Sequence, residues 1–301
     1  MLRFVSIVVV ALAVLAGHAS AQNADTGRLN VVATFSILGD FAKNVGGDRV
    51  SVTTLVGPNS DTHVYTPTPS DAKKIADAKL VIVNGLGLEG WLPRLVKSSG
   101  SKAVTVVATK GIATRKIEDG HDHSLADADP HAWQSVVNAK TYVANIRDAL
   151  IAADPAGADA YTANAVAYLS KLDALDRDVR EAVAKIPPER RSVISTHDAF
   201  GHFAAAYGIK FIAPQGVSTE SEPSARDIAA IISQIRKQKI PAVFLENVSD
   251  PRLMRRIAAE TGANIGGTLY SDSLTDEKGP APTYIDMVRH NIKALTSALS
   301  S

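Results

Sequence analysis

Three histidines and one aspartate lie at points of the sequence where side chains could converge on one ligand. His63 and His131 lie in loops beside turn residues, His197 directly follows a predicted strand, and Asp272 follows a strand that ends near Leu269. Imidazole nitrogens and a carboxylate oxygen suit a divalent transition metal. Long stretches of chain separate the four residues, so each would come from its own loop. On spacing alone, ordinary polar loop histidines remain the alternative.

Apolar, β-branched segments alternate with helical segments along the chain, which is typical of parallel sheets covered by helices on both faces. The predicted strands are residues 29–34, 50–55, 80–83, 103–108, 192–196, 209–213, 242–246 and 265–269. Loops at the carboxyl ends of such strands line the crevice where α/β proteins bind ligands. The candidate ligands follow strands of both halves of the chain, which predicts a site between two lobes.

A strand-free segment separates the two halves. Apolar residues recur at spacings of three and four from Tyr161 to Val183, which predicts one face of a single long helix. Prolines before and after this segment fit helix boundaries. We therefore expect an α/β protein of two lobes, each with a parallel sheet flanked by helices, joined by one long rigid helix with the metal site in the cleft between the lobes. The expected boundaries are 22–153 for the N-terminal lobe, 154–188 for the linking helix and 189–301 for the C-terminal lobe.

The start of the chain has the pattern of a targeting segment. Arg3 is followed by an almost wholly apolar run from Phe4 to Gly17 and by the small residues 19–21. The apolar run is shorter than the roughly 20 residues that span a bilayer. We expect a cleaved signal peptide at residues 1–21, export to the periplasm, and no membrane span in the mature chain.

Composition excludes several classes of protein. The 301 residues contain 32 Lys+Arg and 31 Asp+Glu, a formal net charge of +1 that gives no support to nucleic-acid binding. The absence of cysteine excludes disulfides, thiol nucleophiles, cysteine-type zinc sites and a lipid anchor on cysteine.

Six ordered segments resemble the periplasmic solute-binding proteins of zinc and manganese ABC importers (cluster A-I, the receptors with a single linking helix). The resemblance covers nearly the whole mature chain. The matching segments are residues 32–40 (VATFSILGD), 63–71 (HVYTPTPSD), 84–91 (NGLGLEGW), 129–133 (DPHAW), 196–201 (THDAFG) and 269–274 (LYSDSL).

The resemblance implies a metal receptor that is not an enzyme. The metal ligands of the family fall on His63, His131, His197 and Asp272, and the third position is Glu in some members. A third imidazole favours Zn²⁺, whereas Mn²⁺, the alternative ion, favours oxygen-rich sites. Proton competition should weaken binding below about pH 6. The implied partners are an ABC permease, contacted by the lobe tips, and its ATPase, and we expect a monomer.

One departure from the family concerns a polar loop. Zinc-specific members carry a long His-rich insertion, but here the loop is short and contains only His121 and His123. These two side chains could form an auxiliary metal site, or they could be spare histidines of a solvated loop.

Two further patterns, one typical of dinucleotide binding and one of hydrolases, are weaker than the metal-binding pattern. Residues 85–90 fit G-x-G-x-x-G after a strand, but no acidic residue ends the next strand, so we interpret the glycines as a tight turn. Ser195, His197 and Asp198 are too close in sequence to form a hydrolase triad.

Two rival functions remain. One is a zinc hydrolase with Asp198 or Glu246 as general base, and the other is an adhesin of the same fold. We expect packing or surface roles for the helical residues His202 and His290.

Overall fold

Two parallel sheets form the framework of the protein. The computed structural model describes residues 27–116 and 128–300. The strands of the first lobe have the order β2-β1-β3-β4. They are β1 (Leu29–Phe35), β2 (Val50–Val56), β3 (Leu80–Val83) and β4 (Val104–Val107). All four residues of β3 are buried, as expected for a β-branched strand covered on both faces.

The sheet of the second lobe repeats this arrangement. Its strands have the order β6-β5-β7-β8, and the pairing is again parallel. They are β5 (Ser192–Ile194), β6 (Lys210–Ile212), β7 (Ala242–Glu246) and β8 (Asn264–Leu269). Segments that follow strands of the two sheets meet between the lobes: Ser36, directly after β1, is hydrogen-bonded to Leu274, shortly after β8. The carboxyl ends of both sheets therefore border a common cleft.

Helices cover the faces of both sheets. In the described part of the chain they are α1 (Ser36–Gly46), α2 (Pro69–Ala76), α3 (Leu92–Ser99), α4 (Val136–Ala153), α5 (Ala158–Ala184), α6 (Gly201–Tyr207), α7 (Ala225–Gln238), α8 (Arg252–Thr261) and α9 (Tyr284–Leu299). Helix α5 joins the lobes; its 27 residues are about 40 Å long at a rise of about 1.5 Å per residue. The predicted apolar face of this helix, from Tyr161 to Val183, is buried.

One continuous apolar core runs through both lobes and the linking helix. Its centre brings together Phe41 of α1, Tyr168 of α5 and Tyr284 of α9, with ring centroids of Phe41 and Tyr284 4.8 Å apart. Beside these rings the half-buried Asp40 carboxylate accepts hydrogen bonds from the Tyr284 backbone N–H at 3.1 Å and the Tyr168 hydroxyl at 3.2 Å. Burial raises the pKa of Asp40. The helices of the two lobes are therefore packed against each other and against α5.

The fold class expected from the sequence is confirmed: two α/β lobes with parallel sheets and one long connecting helix. The division of the chain at residues 22–153, 154–188 and 189–301 stays a prediction. The expected signal peptide, residues 1–21, lies outside the described residues. Among the residues that are described, we find no helix long and apolar enough to cross a membrane.

Candidate metal centre

His63 lies in the loop between β2 and α2. The Asp61 carboxylate, two residues earlier, accepts a hydrogen bond from the His63 backbone N–H at 2.8 Å, a local turn that short acidic side chains favour. The Trp91 indole N–H donates to the Thr62 carbonyl at 2.9 Å, and the Trp91 ring packs against Tyr65. Both contacts fix the loop backbone around His63.

His131 repeats the Asp-x-His arrangement. One oxygen of Asp129 accepts a hydrogen bond from the His131 backbone N–H at 3.0 Å and lies 2.9 Å from Nδ1 of the same ring. The Asn84 amide donates to the Pro130 carbonyl at 2.9 Å and holds the segment against the end of β3. A bond from Nδ1 to a carboxylate leaves Nε2 free to coordinate a metal.

His197 follows β5 and is held by Glu246, the last residue of β7. One Glu246 oxygen lies 2.5 Å from His197 Nδ1. The other accepts hydrogen bonds from the backbone N–H groups of Thr196 at 2.7 Å and His197 at 3.1 Å. The carboxylate therefore fixes both the ring and the backbone of His197, and it directs Nε2 into the cleft.

Asp272 follows β8, but its segment is held largely by the first lobe. The Trp133 indole N–H donates to the Ser271 carbonyl at 2.8 Å. On the other side of Asp272, the Leu274 backbone N–H donates to the Ser36 hydroxyl at 2.9 Å. The segment that carries Asp272 thus comes from the second lobe and is bonded to residues of the first lobe.

The four side chains meet in one cluster. One potential ligand atom from each residue lies within 4.8 Å of those from the other three. His63 Nε2 is 3.2 Å from His131 Nε2 and 3.3 Å from Asp272 Oδ2, and His197 Nε2 is 3.2 Å from the same oxygen. A tetrahedral ion with bonds of about 2.0 Å holds its ligand atoms about 3.3 Å apart. The cluster thus has the dimensions of a four-coordinate site.

Three of the atoms that face each other in the cluster are buried without hydrogen-bond partners. His131, His197 and Asp272 are 0% exposed, and His63 is 8% exposed. His197 Nε2 and both carboxylate oxygens of Asp272 form no hydrogen bond. Buried polar atoms without partners are unfavourable. A cation bound between them would satisfy all three.

The charges of the cluster perturb one another strongly. Burial alone would lower the pKa of His131, but the negative charges of Asp272 and Asp129 outweigh burial and raise that pKa to about 9. Burial likewise opposes the charge on His197, yet Glu246 and Asp272 raise its pKa well above the ordinary value. Burial would raise the pKa of Asp272, but the charges of His197 and His131 hold it well below the ordinary value. The neighbouring carboxylates therefore favour the protonated forms of the His131 and His197 rings.

The turn at residues 85–90 is filled by a side chain of the protein. The buried Glu89 carboxylate accepts hydrogen bonds from the backbone N–H groups of Asn84 at 2.6 Å and Gly85 at 3.1 Å. Gly85 has φ +83°, and a Cβ there would lie 2.7 Å from a methyl carbon of Val107. Two backbone donors at the start of the turn are thus bonded to Glu89, which agrees with the interpretation as a tight turn.

The remaining candidate residues lie apart from the cluster or outside the described chain. The Ser195 hydroxyl donates to the His197 carbonyl at 3.0 Å, so these side chains do not form a triad. His202 lies 3.2 Å from the Asp129 carbonyl, and His290 lies 3.0 Å from the Thr268 carbonyl, so both have structural partners. His121 and His123 fall outside the described residues.

The sequence analysis assigned no orienting role to the residues that hold the candidate ligands, and it considered Glu246 only as a general base of the rival hydrolase. Asp129 and Glu246 contact the Nδ1 atoms of His131 and His197, and Asp61 fixes the backbone of His63. The repeated Asp-x-His pattern is a local signal that could have identified Asp61 and Asp129. No local signal identifies Glu246 as the partner of His197, because the two are 49 residues apart and meet only through strand pairing.

Comparison with known proteins identifies curated relatives of similar length. The iron-binding protein YfeA of Yersinia pestis is 38% identical over 268 residues, which cover 89% of this chain and 85% of that protein. The manganese-binding lipoprotein MntA of Halalkalibacterium halodurans is 36% identical over 299 residues, which cover 98% of this chain and 98% of that protein.

Solved structures give the same result. The periplasmic zinc-binding protein TroA of Treponema pallidum superposes with a TM-score of 0.85 at 32% identity, covering 91% of this chain and 100% of that one. A manganese-bound periplasmic metal-binding protein of Candidatus Liberibacter asiaticus has a TM-score of 0.81 at 33% identity, with the same coverage of 91% and 100%. Residues 31–298 match the family described as the periplasmic zinc-uptake complex component A. The chain therefore belongs to this family of metal-binding proteins.

Proposed function

We propose that this protein is the periplasmic substrate-binding protein of a metal ABC importer and that His63, His131, His197 and Asp272 bind its ion. The observation that carries the proposal is the buried cluster in which His197 Nε2 and both Asp272 oxygens lack any other partner. The names of the relatives support it, because they describe iron-, manganese- and zinc-binding proteins.

Zn²⁺ is the ion that the donor set favours. Three imidazole nitrogens and one carboxylate form a borderline-soft, four-coordinate site, whereas Mn²⁺ prefers more oxygen ligands and a higher coordination number. Zn²⁺ also lies above Mn²⁺ in the general order of affinity for such sites. Mn²⁺ remains the alternative cargo, supported by the manganese-binding relative.

The arrangement favours transport over hydrolysis. Catalytic zinc sites use three protein ligands and leave a fourth position to water. Here four side chains point at one another and fill that position. Glu246, a candidate general base, is occupied by the ring and backbone of His197. We therefore propose a binding protein without enzymatic activity.

The remaining parts of the proposal concern location and partners. We propose that residues 1–21 direct export and that the mature protein acts in the periplasm as a monomer. The loaded protein would present its lobe tips to an ABC permease, whose ATPase drives import. His121 and His123 are proposed as an auxiliary site that captures the ion weakly and passes it inward.

Titration of the chelator-treated protein tests the proposal. We expect one equivalent of Zn²⁺ to bind more tightly than Mn²⁺ in calorimetry, and Asp272→Ala to abolish tight binding. His290→Ala, which removes a histidine outside the cluster, should bind like the wild type. Absence of tight binding of either ion to the wild-type protein would overturn the function, and tighter binding of Mn²⁺ than of Zn²⁺ would overturn the choice of ion.

A further inference from the structure

Asp61 links the two lobes at one edge of the metal centre. One of its oxygens accepts a hydrogen bond from the His63 backbone N–H at 2.8 Å. The other accepts a hydrogen bond from the hydroxyl of Thr219, a residue of the second lobe, at 2.7 Å. A displacement of Thr219 away from the first lobe would therefore act directly on the backbone of a candidate ligand.

Thr219 belongs to a loop that is fixed to the other side of the metal centre. We call residues 215–221 the clasp loop. The Gln215 side-chain amide donates to the carbonyls of Thr219 at 3.1 Å and Ser221 at 2.9 Å. The Gln215 backbone N–H donates to the Thr196 carbonyl at 3.3 Å, next to His197. The clasp loop thus connects the backbone of His197 with that of His63.

The contact between Thr219 and Asp61 is isolated. Within residues 27–116 and 128–300, it is the only hydrogen bond between the clasp loop and the first lobe. The opposite edge is held more firmly, because the segment after Asp272 is bonded to Ser36 and also to the backbone of Asn59. If the metal centre opens, the clasp loop is the edge with the fewest bonds to break.

This edge also faces solvent. His63 is the one ligand with measurable exposure, at 8%, whereas the other three are at 0%. A cleft of about 510 Å³ reaches the same edge and is lined by Asp61, Thr196, Gln215, Thr219 and Glu222. An ion that leaves the cluster along this cleft passes Asp61 and the clasp loop.

We propose that Asp61 is a positioning residue that closes the metal centre through Thr219, and that ion release requires this hydrogen bond to break. The inference rests on the proposed function, because it assigns a role in ion exchange at that site. Asp61 acts through the backbone of His63 and through the clasp loop, and it does not itself bind the ion.

Thr219→Val tests the proposal, because it removes the hydroxyl and leaves the bond from Asp61 to His63 intact. The Zn²⁺-loaded protein is mixed with excess chelator in a stopped-flow instrument, and the visible spectrum of the Co²⁺-substituted protein is recorded. We expect release about tenfold faster than in the wild type, which the loss of one hydrogen bond to a charged group allows. The Co²⁺ spectrum should not change. Thr296→Val is the matched control, because the Thr296 hydroxyl donates within its own helix, to the carbonyls of Ile292 and Lys293.

Asp61→Asn separates the hydrogen bonds of Asp61 from its charge. An amide can accept from His63 and donate to Thr219, so release should be slower than in Thr219→Val. Release from Thr219→Val at the wild-type rate, or an altered Co²⁺ spectrum, would overturn the proposal. So would faster release from Asp61→Asn than from Thr219→Val, because Asp61 would then act by charge. Failure of the wild-type protein to bind Zn²⁺ and Co²⁺ would instead overturn the proposed function, and the role of Asp61 with it.

Discussion

The Glu246 carboxylate lies against His197 Nδ1 and accepts hydrogen bonds from the backbone N–H groups of Thr196 and His197. The ring therefore has one orientation, with Nε2 toward Asp272 at 3.2 Å. A carboxylate behind a coordinating histidine also increases the basicity of the metal-binding nitrogen. This pair fixes one of the two candidate ligands that come from the second lobe.

Glu246→Gln should weaken Zn²⁺ binding by about 10- to 100-fold. This is the usual effect of removing a hydrogen-bond partner of a metal-coordinating side chain. The amide has the same shape but carries no charge and forms weaker bonds with His197. Calorimetric titration of the metal-free variant measures the change. Glu260→Gln is the matched control, because Glu260 pairs with Arg256 on the surface. Equal affinities for both variants would show that Glu246 does not support His197.

His197→Glu should lower the ratio of Zn²⁺ affinity to Mn²⁺ affinity by at least about tenfold. The change replaces an imidazole nitrogen with a carboxylate oxygen, which Mn²⁺ accepts more readily than Zn²⁺ does. Competition of the two ions for the purified variant measures the ratio of affinities. The same substitution at His290 should leave the ratio as in the wild type. An unchanged ratio in His197→Glu would contradict the argument from ligand type.

Metal binding should release protons well above the pH range of a free imidazole. The pKa of His131 is raised to about 9, so the ring is protonated in the metal-free protein at neutral pH and the ion must displace that proton. Zn²⁺ affinity should therefore rise from pH 6.5 to about pH 9, rather than fall only below about pH 6. Titration calorimetry in buffers of different ionisation enthalpy counts the protons. Constant affinity across this range would refute the prediction.

The stability of the metal-free protein should fall as the pH rises, whereas the Zn²⁺ affinity should increase. His131 has a higher pKa folded than unfolded, so its ion pairs stabilise the fold fully below about pH 6.5, and this contribution is lost as the pH rises through about 9. The melting temperature without metal should therefore fall between pH 7 and pH 9.5. His131→Asn should flatten that fall, and His290→Asn should not. A melting temperature that rises with pH in the metal-free wild type would contradict the assignment.

Much of the candidate site could be predicted because parallel sheets impose simple geometry. His197 and Asp272 follow strands whose carboxyl ends must meet at one edge of a sheet. Helix α5 was predicted because its apolar face repeats over many turns, from Tyr161 to Val183. These features depend on local periodicity, which a sequence displays directly.

The partners of the ligands could not be predicted because they depend on distant pairings. The hydrogen bond from Leu274 to Ser36 joins residues that are 238 positions apart in the sequence, and no periodicity of the sequence predicts it. The same holds for Thr219 and Asp61, 158 residues apart. Chain order places Asp272 after β8 of the second lobe, but it does not reveal that the same segment is also bonded to the first lobe.

The shared core beneath the cluster limits what loading with an ion can do to the shape of the protein. Phe41, Tyr168 and Tyr284 bind α1, α5 and α9 into one apolar interior. A wide hinge motion would expose these rings to water at a cost of about 25 cal/mol per Å², so each ~200 Å² of newly wetted surface costs about 5 kcal/mol. A membrane partner would therefore have to distinguish the metal-loaded from the metal-free protein by small rearrangements at the rim of the cleft. The distance between the two lobes would change too little to serve as the signal.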